Sequence, residues 1–207
     1  SRGLGDVYKR QKFGCSVKEL NLGGGFGVTY IDEERKPYGY FTDPMMERIQ
    51  EFFRGEGMEM PAVVIEPGRS AVAEAGITLY AIGHIKDIPG VRKYVSVDGG
   101  MTDNPRYALY QSTYEAVVAN RMDQPKTATV TLAGKCCESG DLLGEHMPIQ
   151  PVQSGDIVAV LSTGAYNYSM ASNYNRLCRP AVVMVKDGQP RLIVRRESLE
   201  DLLRNDL

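Results

Sequence analysis

Apolar and polar positions change their spacing about a third of the way along the chain. In the first stretch, through about residue 71, strand-like runs occur at Val17 to Leu22 and at Ala62 to Ile65. Between them, Asp43-Pro44 predicts a helix start, as an N-cap followed by proline at the first helical position. The apolar residues that follow recur at spacings of three and four and share one helix face, namely Met45, Met46, Ile49, Phe52 and Phe53. Gly55 and Gly57 end this helix, so the stretch predicts a βα repeat with a buried parallel sheet.

The second stretch, from about residue 72 to the C-terminus, is rich in short strand-like runs separated by Gly, Pro and Asp. They predict strands at Ile77–Ile82, Lys93–Val97, Ala128–Leu132, Ile157–Leu161, Ala181–Val185 and Arg191–Val194. Asp187-Gly188 lies between the last two runs and is a strong hairpin signal. Leu199, Leu202 and Leu203 indicate a closing helix. The sequence therefore predicts a mostly antiparallel β domain over residues 72–207.

Composition and charge exclude several classes of protein. Of the 207 residues 43% are apolar and 24% charged, and the formal net charge is −2. No apolar run has the roughly 20 residues of a membrane span, and the interspersed charges favour neither nucleic acid nor a membrane surface. Four cysteines, two of them adjacent, form neither a disulfide framework nor a zinc pattern, so no metal is expected and the cytoplasm is the expected compartment. Residues 1–11 match nothing around them, and a foreign leader is one interpretation.

Two loops that follow the predicted strands of the first stretch could bind an anion. The first, Gly23 to Gly27, lets the backbone approach phosphate oxygens closely, but it matches neither a dinucleotide fingerprint nor a P-loop. By itself this glycine loop is as typical of a plain turn as of an anion site. The second, Glu66-Pro67-Gly68-Arg69, adds an arginine, and two consecutive βα loops of this kind are typical of a barrel phosphate site. Glu66 fits such a site if the ligand also carries a cationic group.

Seven motifs in a fixed order point to a family. They are Leu22 to Gly27, Glu66 to Ser70, Tyr94 to Met101, Asn104 to Tyr110, Tyr114 to Arg121, Cys137 to Asp141 and Gly164 to Tyr166. Together they resemble the fold-type III, pyridoxal phosphate-dependent amino acid decarboxylases from about Val17 to the C-terminus. The resemblance implies an α/β plus β architecture, in which residues 1–71 form the last βα units of a TIM (β/α)8 barrel and residues 72–207 form a β domain.

The resemblance also implies the cofactor site. Pyridoxal 5'-phosphate would be held through its phosphate by Gly25 and by Glu66, Pro67, Gly68 and Arg69, with the hydroxyl of Tyr166 as a further donor. Glu66 would lie against the pyridine nitrogen and keep it protonated. A whole barrel takes about 250 residues, so the lysine that binds the cofactor covalently would lie outside this chain.

The remaining implied roles concern the substrate. Arg69, Arg106, Tyr110 and Tyr166 would bind an amino acid, while Cys137 would donate a proton after decarboxylation, because a thiol titrates within about two pH units of neutrality. Glu138 would accept the distal ammonium of the substrate. The loop that carries these two residues would reach the partner subunit's active site, so a homodimer with shared sites is expected.

Substrate choice stays open at this point. Glu138 favours meso-2,6-diaminopimelate, converted to L-lysine, because ornithine-type relatives carry Asp after this cysteine. Ornithine, arginine, lysine and carboxynorspermidine remain alternatives, as does a non-catalytic binding role. Structural roles are expected for three cysteines, two histidines and one tyrosine: Cys15, Cys136, Cys178, His84, His146 and Tyr107.

Overall fold

A computed structural model describes residues 16–31 and 34–207 of the protein. The predicted leader at residues 1–11 and Cys15 lie outside the described residues. Two compact units make up the described chain: residues 16–29 with 34–72, and residues 30–31 with 73–207. Within the described ranges no helix has both the length and the apolar character needed to cross a membrane.

The first unit is built on two short parallel strands. β1 (Glu19–Asn21) pairs with β2 (Ala62–Val64), with Leu20 opposite Val63, which confirms the predicted parallel pairing. The predicted burial of these strands was wrong, since every residue of both is exposed or half-buried. Helix α1 (Tyr38–Gly55) connects the strands, and the short helix α2 (Gly68–Val72) follows β2. This unit holds one βαβ connection, and the described chain contains no complete (β/α)8 barrel.

Helix α1 begins at Tyr38, so the predicted start at Pro44 was wrong, and Pro44 lies inside the helix. Aromatic packing explains the longer helix. The ring of Phe26 makes edge contacts with Tyr38 and Phe41, at centroid distances of 5.3 and 5.9 Å. These contacts hold the first turn in place although Pro44 lacks the N–H that would continue the hydrogen-bond ladder.

The predicted end of α1 and its apolar face are confirmed. Gly57 adopts φ +61° and donates its N–H to the carbonyl of Arg54, while Met58 donates to Phe53. This pair of bonds is a Schellman motif, which favours glycine at the left-handed position. Phe53 is buried on the predicted face.

The second unit is dominated by a six-stranded sheet in the order β5-β8-β3-β4-β6-β7. Four of its five strand pairs are antiparallel and β4–β6 is parallel, which confirms the mostly antiparallel prediction. The strands are β3 (Thr78–Ile88), β4 (Arg92–Val97), β5 (Ala116–Val118), β6 (Ala128–Ala133), β7 (Leu142–Ile149) and β8 (Ile157–Val160). β5 and β7 were not predicted, and β7 reads poorly as a strand because it contains glycine and proline.

The edge strands β5 and β7 contact each other, so the sheet is nearly closed like a barrel. Alternate residues of all six strands point into one core, among them Tyr80, Val95, Val118, Leu132, Leu143 and Val158. The core therefore lies inside the sheet, and the loops at its ends carry the chemical groups described below.

A hairpin and a short helix complete the second unit. β9 (Val182–Lys186) and β10 (Gln189–Val194) form a separate antiparallel pair, joined at Asp187-Gly188 as predicted. Both turn residues have positive φ, as a type I′ turn requires. Helix α4 (Leu199–Leu203) begins with a capping box between Ser198 and Asp201, and it is the predicted closing helix.

Candidate active site

In the first unit, the glycine loop after β1 and the loop after β2 meet through hydrogen bonds. The N–H of Glu66 donates to the carbonyl of Gly23 at 2.8 Å. The side chain of Asn21 joins both loops: its Nδ2 donates to Glu66 Oε1 at 2.6 Å, and its Oδ1 accepts from Gly23 N at 2.8 Å. The sequence analysis did not predict Asn21, because its contact with Glu66 spans 45 residues of sequence.

Glycine is required in this loop for two reasons. A Cβ on Gly24 would lie 2.4 Å from the carbonyl oxygen of Glu66, so a larger residue would push the two loops apart. Gly25 has φ +92° and open space around its Cα, which leaves the backbone accessible to a ligand. Gly25, Glu66, Pro67 and Gly68 thus lie on two joined loops, as an anion cradle needs.

Arg69 lies at the start of helix α2, directly after this cradle, and is half-buried. The next residue, Ser70, is fixed by two contacts. Its hydroxyl donates to the Pro67 carbonyl at 3.3 Å and lies 2.9 Å from the hydroxyl of Tyr38. The segment from Glu66 to Ser70 is therefore a folded turn tied to helix α1.

In the second unit, the guanidinium of Arg106 lies between two tyrosine rings. Its Cζ is 5.5 Å from the ring centroid of Tyr110 and 5.4 Å from that of Tyr166, within cation–π range. Arg106 and Tyr110 are the first and last residues of helix α3 (Arg106–Tyr110), a four-residue spacing that places them on one face. We call these three residues the Arg106 cluster. Both rings are exposed, Tyr110 by 62% and Tyr166 by 47%, so the cluster is open to a ligand.

A polar layer lies beneath the Arg106 cluster. Arg106 Nη2 donates to Ser112 Oγ at 3.4 Å, and its buried Nε has no hydrogen-bond partner within the described residues. The buried Tyr114 donates its hydroxyl to Asn167 Oδ1 at 3.3 Å. Burial raises the pKa of Tyr114, so its hydroxyl stays protonated beside the arginine. Tyr114 and Asn167 were not predicted as site residues, because Tyr114 begins one of the seven motifs and Asn167 follows another, but neither motif assigned them a role.

Cys137 and Glu138 lie on a tight loop at residues 134–141, which we call the Cys137 loop. The buried carboxylate of Asp141 closes it by accepting from Cys136 N at 2.6 Å, and the same carboxylate accepts from Met101 N at 2.6 Å. A Cβ on Gly134 would lie 2.2 Å from Asp141 Oδ2, so glycine is needed there. The loop is thereby fixed to the loop that follows β4.

The two adjacent cysteines have different environments. Burial and the neighbouring Asp141 raise the pKa of Cys136 to about 11, so this thiol stays protonated at neutral pH. Cys137 is exposed, and its N–H donates to Asn175 Oδ1 at 2.6 Å. Cys136 and Cys178 are half-buried free thiols. A structural cysteine is expected to be fully buried, and neither of these two is. Cys137 is the accessible thiol of the pair.

The structure thus assembles the expected site residues in three groups. The cradle of the first unit contains Gly25 and Glu66, the Arg106 cluster contains Tyr110 and Tyr166, and the Cys137 loop carries Glu138. Within the second unit, the described hydrogen bonds of Cys137 and Glu138 stay within their own loop or reach Asn175, and none joins them to the Arg106 cluster.

His84 and His146 are exposed on strands. The hydroxyl of Tyr107 donates to Glu145 at 2.7 Å, a structural contact.

Comparison with known proteins identifies relatives of this chain. Residues 7–164 match the family described as pyridoxal-dependent decarboxylase, C-terminal sheet domain. The diaminopimelate decarboxylase of Bacillus subtilis is 49% identical over 199 residues, which cover 96% of this chain and 45% of that protein. The chain spans about half the length of the curated relatives it matches.

Solved structures show the same similarity. The diaminopimelate decarboxylase of M. jannaschii, in complex with L-lysine, has a TM-score of 0.86 and 34% identity and covers 99% of this chain and 46% of its own. The Helicobacter pylori diaminopimelate decarboxylase, also with L-lysine, has a TM-score of 0.80 and 29% identity and covers 96% of this chain and 47% of its own.

Proposed function

Because the chain belongs to the pyridoxal-dependent decarboxylases, we propose that it forms the C-terminal portion of a diaminopimelate decarboxylase. This enzyme converts meso-2,6-diaminopimelate to L-lysine and CO2 in the last step of lysine biosynthesis. The observation that carries this proposal is the Arg106 cluster, an arginine held between two exposed tyrosines in the same unit as an exposed thiol. The arginine suits a substrate carboxylate, and the thiol suits a proton donor.

The two loops of the first unit fit the phosphate of pyridoxal 5'-phosphate. Gly24 and Gly25 leave backbone room for an anion, and Gly68 and Arg69 follow directly after Glu66. We assign the phosphate to Gly25 and the Glu66–Arg69 segment, with the Tyr166 hydroxyl as a further donor and Glu66 opposite the pyridine nitrogen. When bound, the cofactor withdraws electrons from the substrate carbon that loses CO2.

The substrate requires opposite charges at its distal end, because diaminopimelate carries a second ammonium and a second carboxylate. Arg106 supplies the cation for a carboxylate, and Tyr110 and Tyr166 restrict where its guanidinium can point. Arg69 adds a second arginine for substrate binding. Glu138, one residue after Cys137, supplies the anion for the distal ammonium. Ornithine has no distal carboxylate, so the same set would leave an arginine unpaired.

Cys137 completes the reaction as the proton donor. The bond between the carbon and its carboxylate breaks, CO2 leaves, and the electron pair that stays on carbon takes the thiol proton of Cys137. The thiolate then regains a proton from water. Cys136 is unsuited to this role because it is half-buried and its pKa is raised to about 11.

The remaining parts of the proposal concern assembly. The first unit, with its two parallel strands, supplies the last βα units of a (β/α)8 barrel whose other strands lie in the rest of the protein. The enzyme works in the cytoplasm as a homodimer, in which the Cys137 loop of one subunit completes the active site of its partner. The described contacts of this loop, which do not reach the Arg106 cluster, support that arrangement.

A substrate panel tests the proposal with the full-length protein that contains this chain. Release of CO2 is measured from diaminopimelate, ornithine, arginine, lysine and carboxynorspermidine. We expect diaminopimelate to be preferred by kcat/KM and the Cys137→Ala variant to lose about 100-fold or more in kcat. A Cys178→Ala variant serves as the matched thiol control and should keep its turnover. Preference for another amine, or full activity of Cys137→Ala, would overturn the assignment.

A further inference from the structure

The peptide N–H of Cys137 is held by a side chain from a distant part of the sequence. It donates to Asn175 Oδ1 at 2.6 Å across 38 residues of sequence. The carboxylate of Asp141 holds the loop one residue earlier, at Cys136 N. The hydrogen bond to Asn175 is therefore the contact that holds the backbone of Cys137 itself, the residue with the accessible thiol.

Asn175 has an unusual backbone conformation. Its φ and ψ are +54° and +23°, in the left-handed region, and Arg176 follows with φ +56°. Residues other than glycine are uncommon in this region, and asparagine is among those that tolerate it best. The turn directs the Asn175 amide toward the Cys137 loop.

The turn that carries Asn175 is anchored on its other side. Arg176 forms an ion pair with Asp206 at 2.9 Å and donates to the carbonyl of Leu202 at 3.3 Å. Asn173 donates to the Leu177 carbonyl at 3.0 Å and to Glu197 at 2.6 Å. The amide of Asn175 thus projects from a turn fixed to the C-terminal helix, so its position is set independently of the Cys137 loop.

We propose that Asn175 is a positioning residue for Cys137: by accepting the Cys137 N–H, it fixes the thiol at the place from which it donates its proton. This inference rests on the proposed function, because it assigns Asn175 a role in the same proton transfer. Since Cys137 is exposed, water can replace the lost acceptor. Loss of the bond should therefore move the thiol without unfolding the loop.

Three variants of the full-length enzyme separate positioning from folding. Asn175→Gly removes the acceptor but suits the left-handed backbone. Asn175→Asp keeps an acceptor oxygen and also tolerates this conformation. Asp187→Gly makes the same backbone change at another non-glycine residue with positive φ, in the exposed turn between β9 and β10, so it is the matched control.

We expect Asn175→Gly to lower kcat for diaminopimelate by roughly 10- to 100-fold, since a shift of about 1 Å costs on this order. KM should change less than about threefold, and the melting temperature should stay within about 4 °C. Asn175→Asp should recover most of the turnover.

Turnover in D2O supplies a readout that a purely structural role would not move. The lysine formed carries one deuterium at the carbon that lost CO2. We expect it on a single face in the unmodified enzyme and in Asp187→Gly, and on both faces in Asn175→Gly. The inference is overturned if Asn175→Gly matches the unmodified enzyme in kcat and labelling, or if all three variants lose activity together with stability. If the unmodified enzyme releases no CO2 from diaminopimelate, the proposed function itself fails.

Discussion

The two units of the molecule differ sharply in how much apolar surface they bury. In the first unit, the buried apolar side chains among the described residues are Phe26, Phe53 and Pro61, and its strands are three residues long. In the second unit, six strands surround a single core of buried residues that includes Val95, Leu132 and Val158. Burial of apolar surface is the main source of folding free energy. The second unit therefore contains its own stabilising core, whereas the described part of the first unit buries little apolar surface.

This difference parallels the distribution of chemical groups. The Arg106 cluster and the Cys137 loop lie on the well-packed second unit, while the proposed phosphate cradle lies on the small first unit. In the second unit, fixed side chains can hold a proton donor or a substrate in place. The cradle, by contrast, lies on a sheet of two strands with three residues each.

The largest effect should come from the core of the second unit. Replacing the fully buried Leu132 with alanine should lower the free energy of unfolding by about 3 to 4 kcal/mol. The matched control is Leu192→Ala in the hairpin, where the side chain is 59% exposed and the change should be below about 0.5 kcal/mol. Urea unfolding followed by circular dichroism measures both. Equal effects would show that the sheet core does not carry the stability.

A smaller loss should follow from removing the carboxylate that closes the Cys137 loop. Asp141→Ala leaves the N–H groups of Met101 and Cys136 without their charged acceptor, which should cost about 2 to 3 kcal/mol. The pKa of Cys136 should fall at the same time, and its alkylation at pH 8 should become faster. Asp123→Ala, at an exposed position, is the control for both measurements. An unchanged Cys136 reactivity would contradict the role given to Asp141.

The first unit can be strengthened at Pro44. Pro44→Ala restores a backbone donor inside helix α1 and should stabilise that helix by about 1 kcal/mol, after allowance for the greater freedom of the unfolded chain. Amide exchange in α1 should slow by roughly fivefold. Gln50→Ala, on an exposed turn of the same helix, should have almost no effect. No change at Pro44→Ala would mean that the proline does not limit the stability of α1.

The smallest effect concerns acid stability. The hydroxyl of Tyr107, together with Arg92, holds the pKa of Glu145 below its ordinary value. A carboxylate of this kind stabilises the fold above its unfolded pKa of about 4.3, and this contribution is lost as pH falls through the lower folded value. Tyr107→Phe should raise the folded pKa and flatten the pH dependence of stability below pH 4. Unfolding midpoints between pH 2 and 6 measure this, with the exposed Tyr168→Phe as control; an unchanged slope would contradict the assignment.

Local patterns in the sequence were enough to predict most of the strands and several turns. The Asp187-Gly188 hairpin and the end of α1 at Gly55 depend on residues near in sequence, and both were predicted correctly. The start of α1 was missed because it depends on the packing of Phe26, a residue distant in sequence. Strand β7 was missed because its pairing with β6 compensates for its glycine and proline.

The candidate site shows the same limit of local sequence patterns, which do not predict contacts between residues distant in sequence. Its charged and reactive residues lie in recognisable motifs, so they were predicted at the sequence level. Asn21, Tyr114 and Asn175 act through side-chain contacts to residues between 38 and 53 positions away, and no local pattern predicts those contacts. Finding such residues requires the fold, since the fold alone brings these pairs together.

Amide hydrogen exchange of the 207-residue chain tests most directly whether the second unit is self-sufficient and the first is not. We expect the amides of Val95, Leu132 and Val158 to be protected at least about 1,000-fold more strongly than those of Leu20 and Val63, because core strands open only by global unfolding. Equal protection of the two sets would contradict this contrast, since it would show that β1 and β2 belong to a unit as stable as the closed sheet.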